Sequence, residues 1–175
     1  MQSNYRRVIY LVSLLLLTGL WSCNQVDTAI SDPVPDCFDG QLNQGEIETD
    51  CGGPCPACQP KLTAKVNGMN WESAGSVTSQ INGNSILISS GNASSNMSLI
   101  YTGPFVTGSF SLSGALYTLT AAQVNYTTTT GTVNFTKWDN VEKQVFGTFS
   151  FKAFETSGSG DSVNVTQGSF SFVPF

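Results

Sequence analysis

The amino-acid sequence predicts an all-β domain, either an antiparallel β-sandwich or a flattened barrel, preceded by a small disulfide-rich segment. Apolar and polar residues alternate in short stretches after residue 60, and no stretch there keeps a helical period. Two Asn-Gly pairs, Asn67-Gly68 and Asn82-Gly83, lie between alternating stretches and are typical of tight hairpins. Glycine, serine, threonine and asparagine separate the short apolar stretches, which predicts about ten strands.

A five-residue pattern recurs three times and predicts how its strands contribute to the core. Its copies begin at Gly108, Gly147 and Gly168, and each has two large apolar residues on one face with a hydroxyl residue between them. The residues expected to face inward are Phe110, Leu112, Phe149, Phe151, Phe170 and Phe172. Before Gln167-Gly168 the apolar residues of the last strand occupy odd-numbered positions, and after it they occupy even-numbered positions. This change predicts a β-bulge at that point.

The start of the chain is typical of an export signal. Arg6 and Arg7 precede an apolar run that extends from residue 8 to residue 20. At about 1.5 Å per helical residue this run covers roughly 20 Å, which is short of the roughly 30 Å hydrocarbon core of a membrane. We therefore interpret residues 1–22 as a cleaved signal peptide and not as a membrane-spanning helix.

The residues that follow the apolar run predict a lipid anchor. Leu20-Trp21-Ser22-Cys23 resembles the bacterial lipobox, and this resemblance implies that Cys23 is acylated and becomes the first mature residue. Several acyl chains give stable membrane attachment, whereas one chain binds only marginally. Asn24 after the cysteine favours the outer membrane as the destination. The alternative interpretation is an ordinary signal peptide in which Cys23 has no lipid.

Charge divides the mature chain and excludes some functions. Residues 24–60 contain seven acidic residues and no lysine or arginine, whereas residues 61–175 contain five acids and five lysines. No basic patch is present to neutralise phosphates, so we expect no nucleic-acid partner. The chain also has no histidine, the commonest general base and transition-metal ligand. The predicted parts are the signal peptide 1–22, the lipidated cysteine and flexible tether 23–36, a cysteine-rich acidic segment 37–60 and the β-domain 61–175.

The cysteine-rich segment predicts two disulfides. An even number of cysteines remains once Cys23 is assigned to the lipid: Cys37, Cys51, Cys55 and Cys58. Exported proteins use such sets as disulfide frameworks, and the spacing leaves all three pairings open. One alternative is a four-thiolate zinc site, for which only Cys55-x-x-Cys58 has the usual spacing. Another is a redox centre at the same motif, although Gln59-Pro60 follows it where thioredoxin-like proteins begin a helix.

The same segment concentrates oxygen ligands and raises the hypothesis of a calcium site. Gly40 and Gly45 allow sharp turns among the acids, and calcium takes six to eight oxygen ligands. The spacing differs from that of an EF-hand, and a solvated acidic loop is the alternative. The candidate ligands are Asp36, Asp39, Asn43, Glu46, Glu48 and Asp50.

Two stretches resemble known protein segments. The pattern Asp39-Gly40-x-x-Asn43-x-x-Glu46-x-x-x-Asp50-Cys51-Gly52-Gly53-x-Cys55-x-x-Cys58 resembles a short segment of secreted Bacteroidota proteins, which implies a structural and ion-binding linker. Ala64-x-Val66-Asn67-Gly68-x-x-Trp71, together with the closing Gly-Thr-Phe-Ser-Phe and residues 163–170, resembles an uncharacterised domain of Bacteroidota lipoproteins. That second resemblance covers nearly all of residues 61–175 and implies an all-β lipoprotein without an established activity.

These features predict a lipid-anchored cell-envelope protein of the outer membrane. We expect its β-domain to be non-catalytic and to bind a glycan or an envelope protein, or to have a structural role. The expected binding residues are aromatic residues that do not fit the alternation of the inward-facing apolar residues. We therefore expect their rings to be exposed. They are Trp71, Tyr126, Trp138 and Phe154.

Two other functions remain as alternatives. The first is a carrier that holds a small apolar ligand inside a barrel, although Gly68-Met69-Asn70-Trp71 is one residue longer than the Gly-x-Trp of lipocalin-like proteins. The second is a glycan hydrolase that uses two carboxylates. The candidate pairs are Asp139 with Glu142 and Glu155 with Asp161.

Overall fold

A computed structural model describes residues 37–175, so the predictions for Cys23, the tether and Asp36 lie outside the described residues. The described part contains eleven strands and no helix, and hence no apolar helix of the length needed to cross a membrane. The strands are β1 (Lys61–Val66), β2 (Met69–Glu72), β3 (Thr78–Asn82), β4 (Ser85–Gly91), β5 (Ser95–Thr102), β6 (Gly108–Ser111), β7 (Gly114–Leu119), β8 (Val124–Thr128), β9 (Gly131–Asp139), β10 (Gln144–Glu155) and β11 (Ser162–Pro174).

All eleven strands belong to one antiparallel sheet, which confirms the all-β prediction. The main path runs β2-β1-β11-β10-β8-β7-β5-β4-β3, while β9 pairs with β10 and β6 pairs with β9. Strands β8 and β9 lie end to end along β10, since Thr127 is opposite Phe154 and Gly131 is opposite Phe151. The sheet curls into a half-barrel, and the Ser79 hydroxyl of β3 donates a hydrogen bond to the Pro174 carbonyl of β11.

Both predicted hairpins are present. The first has Asn67 and Gly68 as its two loop residues, with φ of 50° and 83°, as the turn type that matches strand twist requires. In the second the loop residues are Gly83 and Asn84, one position later than the Asn-Gly pair. Gly83 has a φ of 61°, which suits the first position of such a turn.

The concave side of the sheet is packed with apolar side chains from both of its halves. Phe135 lies near the middle, with its ring centroid 5.0 Å from Tyr101 and 6.0 Å from Phe170. Of the residues expected to face inward, Leu112, Phe149, Phe151 and Phe170 are buried in this core, and Phe110 is partly buried against it. Burial of this apolar surface is the main stabilising contribution to the fold.

The predicted bulge in β11 is confirmed. Phe149 is opposite Gly168 but Phe151 is opposite Val165, so β11 contains one extra residue between these two pairs. Gln167 takes up the extra length with a φ of 50°, a left-handed conformation that is uncommon outside glycine. The residues on either side of it therefore keep their apolar side chains on the same face of the sheet.

A second bulge, which the sequence did not reveal, places Phe172 outside the main core, although its side chain is buried at 4 % exposed. Val145 is opposite Val173 but Gly147 is opposite Phe170, and Phe172 itself has a φ of 53°. A one-residue shift exchanges the two faces of a strand, so Val173 takes the inward position that alternation had assigned to Phe172. Phe172 instead packs against Phe146, with ring centroids 4.8 Å apart, and is not part of the main core.

Trp71 connects the edge of the sheet to a distant turn. Its indole Nε1 donates a buried hydrogen bond to Ser95 Oγ at 2.8 Å, across 24 residues of sequence. Asn92 orders the turn before Ser95, because its Oδ1 accepts from the Ser95 backbone N–H at 3.1 Å. The Asn92 side-chain amide also donates to the Glu72 carbonyl at 3.1 Å. The indole thus ties β2 to the β4–β5 turn.

Candidate functional site

The cysteine-rich segment contains the two predicted disulfides. Cys37 is bonded to Cys55 and Cys51 to Cys58, with Cα–Cα distances of 5.4 and 5.0 Å. Each cysteine of the Cys55-x-x-Cys58 motif therefore pairs with a more distant partner, and the redox and four-thiolate zinc alternatives are wrong for this segment. Glu48 forms an isolated backbone bridge with Cys51 that tightens the turn between the two bonds.

The acids of this segment do not converge on one point. Asp39 accepts a hydrogen bond from the Asn43 side-chain amide at 2.8 Å, and Glu46 accepts one from the Asn43 backbone at 3.2 Å. Asp50 accepts from the Gly40 N–H at 2.9 Å. Among residues 37–175, no group of three or more Asp, Glu, Cys or His side chains is placed to share a metal ion. Asp36 of the suggested calcium ligand set lies outside the described residues, so the calcium site stays a prediction. Asn43 Oδ1 is buried without a hydrogen-bond partner.

Two of the four expected binding aromatics lie in the core, so the prediction that their rings are exposed is wrong. Trp71 is 7 % exposed and Tyr126 is 5 % exposed. Tyr126 faces inward opposite Tyr117, and its hydroxyl lies 3.3 Å from Asp161 Oδ2, to which it donates. Burial, followed by the nearby Asp161 carboxylate, raises the pKa of Tyr126. Both rings stabilise the domain and neither is available to a partner.

The other two aromatics are more accessible. Trp138 is partly buried between Phe105 and Phe175, with ring centroids 5.0 and 5.1 Å away, and its Nε1 is buried without a hydrogen-bond partner. Phe154 is 51 % exposed on the convex side of β10. The Nζ of Lys152 lies 5.3 Å from the centroid of the Phe154 ring. Phe154 is thus the one of the four that presents most of its ring to solvent.

Two of the four carboxyl groups proposed for hydrolysis, those of Asp139 and Glu155, have lowered pKa values, which is the wrong direction for the proton-donating role. The backbone N–H of Glu142 and then the side chain of Lys137 lower the pKa of Asp139 to about 2. Hydrogen bonds from the hydroxyls of Ser157 and Ser159 lower the pKa of Glu155. A glycosidase needs a carboxyl whose pKa is raised so that it can protonate the leaving group. Asp139 and Glu155 are instead held as carboxylates.

The convex side of β6, β9, β10 and β11 has a shallow depression of about 500 Å³ that is lined mainly by uncharged polar side chains, together with Phe149 and Gly168. We call this surface the hydroxyl face and define it by seven residues: Ser109, Thr132, Asn134, Thr148, Ser150, Gln167 and Ser169. A second depression of about 280 Å³ adjoins it at Gln167 and lies over β1 and β2.

The hydroxyl face was missed at the level of sequence, although a signal for it was present. Ser109, Thr148 and Ser169 are the hydroxyl residues that follow the glycine in the three copies of the repeated pattern. Alternation places these hydroxyls on the face opposite the large apolar residues, but it does not show that the three strands bring them side by side. In the sheet the three hydroxyl residues fall into one transverse row, with Asn134 of β9 between Ser109 and Thr148.

The fold and its surfaces define a class of protein: a curled all-β domain behind a short two-disulfide segment, with a polar convex face and an apolar concave one. The chain belongs to the DUF6252 family, a domain of unknown function, whose model matches residues 58–174. That range includes all eleven strands and begins at the cysteine of the second disulfide. No curated protein and no solved structure matches this chain.

Proposed function

We propose that this protein is a lipid-anchored lipoprotein of a bacterial outer membrane, of Bacteroidota type, whose β-domain binds a partner without catalysing a reaction. The observation that carries the proposal is the pair of disulfides, Cys37–Cys55 and Cys51–Cys58. Such bonds form and persist outside the cytosol, which fits export through the signal peptide at residues 1–22.

The lipid anchor follows from the arrangement of the N-terminal sequence. A lipobox-like Leu20-Trp21-Ser22-Cys23 supplies the acylation site, and thirteen residues, 24–36, separate it from the first disulfide cysteine. Fully extended, such a tether reaches about 45 Å. The β-domain would thus be held near the membrane surface while staying free to meet a partner.

A non-catalytic role is supported by the chemistry of the available side chains. The chain has no histidine, and the carboxyl groups of Asp139 and Glu155 both have lowered pKa values. Binding requires only an accessible surface with suitable hydrogen-bonding groups, and the hydroxyl face provides one. The concave side is filled by core residues, which disfavours the alternative of an apolar ligand carrier.

Metabolic labelling tests the anchor. The full chain is produced in a bacterium that processes lipoproteins and is grown with labelled palmitate, beside the Cys23→Ala variant. We expect label and membrane association for the wild type only, and mass spectrometry should identify acylated Cys23 as the first residue. Cys37→Ala is the matched control and should retain the label. An unlabelled wild-type protein, or label on the Cys23→Ala variant, would refute the anchor.

A further inference from the structure

We infer that the hydroxyl face binds a neutral oligosaccharide. This inference rests on the proposed role of the β-domain as a binding module and specifies its surface and ligand class. It is carried by four properties of the face: the alignment of its polar side chains, their unused hydrogen-bonding capacity, its lack of charge and an aromatic ring beside it.

The alignment comes from strand register. Ser109 of β6 is opposite Asn134 of β9, Asn134 is opposite Thr148 of β10, and Thr148 is opposite Ser169 of β11. Thr63 of β1 continues the row next to Ser169. Residues directly opposite in an antiparallel sheet have Cβ atoms about 5 Å apart. Five strands therefore present one continuous row of hydroxyl and amide groups.

Much of the hydrogen-bonding capacity of this row is unused. The side chains of Ser109, Asn134 and Thr148 make no hydrogen bond with any other residue of the described chain. Thr132 and Ser150 lie two residues from Asn134 and Thr148 on the same strands. Their hydroxyls are 3.0 Å apart and hydrogen-bond to each other. This hydrogen bond holds the two hydroxyls in place. The unbonded side chains of Ser109, Asn134 and Thr148 can both donate hydrogen bonds to the hydroxyls of a sugar and accept them.

The lining of the depression disfavours a charged ligand. The side chains that line its depression include no Asp, Glu, Lys or Arg. The nearest lysines on β9 and β10 are each placed over a phenylalanine ring, with Lys137 Nζ 5.3 Å from the Phe146 centroid and Lys152 Nζ 5.3 Å from that of Phe154. Inside the depression an anionic or cationic ligand would lose hydration without gaining an opposite charge, whereas a neutral polyhydroxyl ligand matches its lining.

An exposed aromatic ring lies beyond the polar row on the same side of β10. Phe154 is four residues from Ser150, which is about 13 Å along a strand. A sugar bound at the row and extended along β10 passes Lys152, whose Nζ lies 5.3 Å from the ring centroid, and reaches the exposed part of the Phe154 ring. The apolar C–H face of a pyranose packs well on an aromatic surface. A chain of several sugar units fits this separation better than a single sugar does.

The first bulge of β11 shapes the depression. Gln167 is held at a φ of 50° and lines both the depression of the hydroxyl face and its neighbour over β1 and β2. A regular strand would continue the flat, pleated surface there. Backbone strain of this kind costs free energy and is concentrated at functional sites. We therefore interpret the strained backbone of Gln167 as part of the binding site.

Binding of neutral hexasaccharides tests the inference. The mature chain is titrated with gluco-, manno-, xylo- and galacto-configured hexasaccharides by calorimetry. Asn134→Ala/Thr148→Val is compared with the control Asn96→Ala/Thr118→Val, which removes the same groups from the convex side of β5 and β7. We expect at least one sugar to bind the wild type and the control equally. Loss of two hydrogen bonds should weaken binding to the first variant about tenfold or more.

Chemical-shift mapping keeps the test independent of the variants. Amide signals of β9, β10 and β11 should shift with the bound sugar, and those of β3 and β4 should not. The inference is overturned if no hexasaccharide binds at millimolar concentration, if shifts map elsewhere, or if Asn134→Ala/Thr148→Val binds like the wild type. A wild type that captures an envelope protein but no sugar would overturn this inference and leave the binding module intact.

Discussion

The buried hydrogen bond between Trp71 and Ser95 should be one of the larger single contributions to the stability of the β-domain. Ser95→Ala leaves the indole N–H without an acceptor at a site where Trp71 is 7 % exposed and Ser95 is 1 % exposed. A buried donor that loses its acceptor costs about 1–3 kcal/mol. Water cannot enter to replace the hydroxyl without displacing packed side chains, so we expect a value in that range.

A double-mutant cycle isolates this hydrogen bond from its surroundings. Trp71→Phe removes the donor, so Ser95→Ala should cost clearly less in that background than in the wild type, by about 1 kcal/mol or more. The free energy of unfolding is measured by urea denaturation followed by far-UV circular dichroism, because fluorescence would change with the loss of an indole. Ser109→Ala is the control, since its hydroxyl is exposed and makes no hydrogen bond within the described chain.

Two outcomes would refute this reasoning. The first is a cost for Ser95→Ala that is no greater than the cost for Ser109→Ala, which we expect to lie within about 0.5 kcal/mol of zero. The second is an equal cost for Ser95→Ala with and without Trp71. Either outcome would mean that the hydrogen bond from the Trp71 indole to Ser95 does not stabilise the fold.

Four further predictions concern packing, charge and the cysteine-rich segment. Gly168→Ala should destabilise the domain by about 1–3 kcal/mol in urea, because its Cβ would lie 2.6 Å from an aromatic ring, whereas Gly75→Ala, with open space around it, should not. The folded-state pKa of Asp139, about 2 against an ordinary 3.8, lies below the unfolded value, so its stabilising effect is complete above about pH 4 and is lost toward pH 2. Asp139→Asn should therefore flatten the loss of stability between pH 4 and 2, and an unchanged slope would contradict this. Replacement of Cys37 and Cys55 by serine should speed proteolysis before residue 58 and leave the urea midpoint of the β-domain unchanged. If the calcium hypothesis is right, millimolar calcium should slow proteolysis of the same segment in the wild type, and an unchanged rate would refute it.

The two bulges of β11 show why local alternation predicts one irregularity and misses another. Around Gln167, valines at odd positions give way to phenylalanines at even positions, so the parity change is visible in the sequence. Around Phe172, the Phe-Ser-Phe alternation continues without a break, and only the pairing of Val145 with Val173 reveals the extra residue. The sequence carries no signal there because phenylalanine is apolar on either face.

Trp71 and Tyr126 were misassigned for a related reason. Neither residue fits the apolar alternation of its neighbours in sequence, and this mismatch predicts an exposed ring. Burial depends on what lies opposite, and Trp71 faces Ser95 while Tyr126 faces Tyr117. The partners are 24 and 9 residues away in sequence. The contact of Trp71 with Ser95 joins strands that are not neighbours in the sheet and needs its curl, whereas the pairing of Tyr126 with Tyr117 is set by the register of β8 against β7.

The sequence by itself determined the all-β class, the two hairpins, the first bulge and the presence of two disulfides. These features follow from residue alternation, from Asn-Gly turn geometry and from an even number of cysteines, all of which act over a few residues or by simple count. Tertiary structure alone decided the cysteine pairing, the burial of Trp71 and the row of Ser109, Asn134, Thr148 and Ser169. Each of these depends on which distant segments become neighbours, and the curl and register of the sheet set those distances through the packing of its concave side.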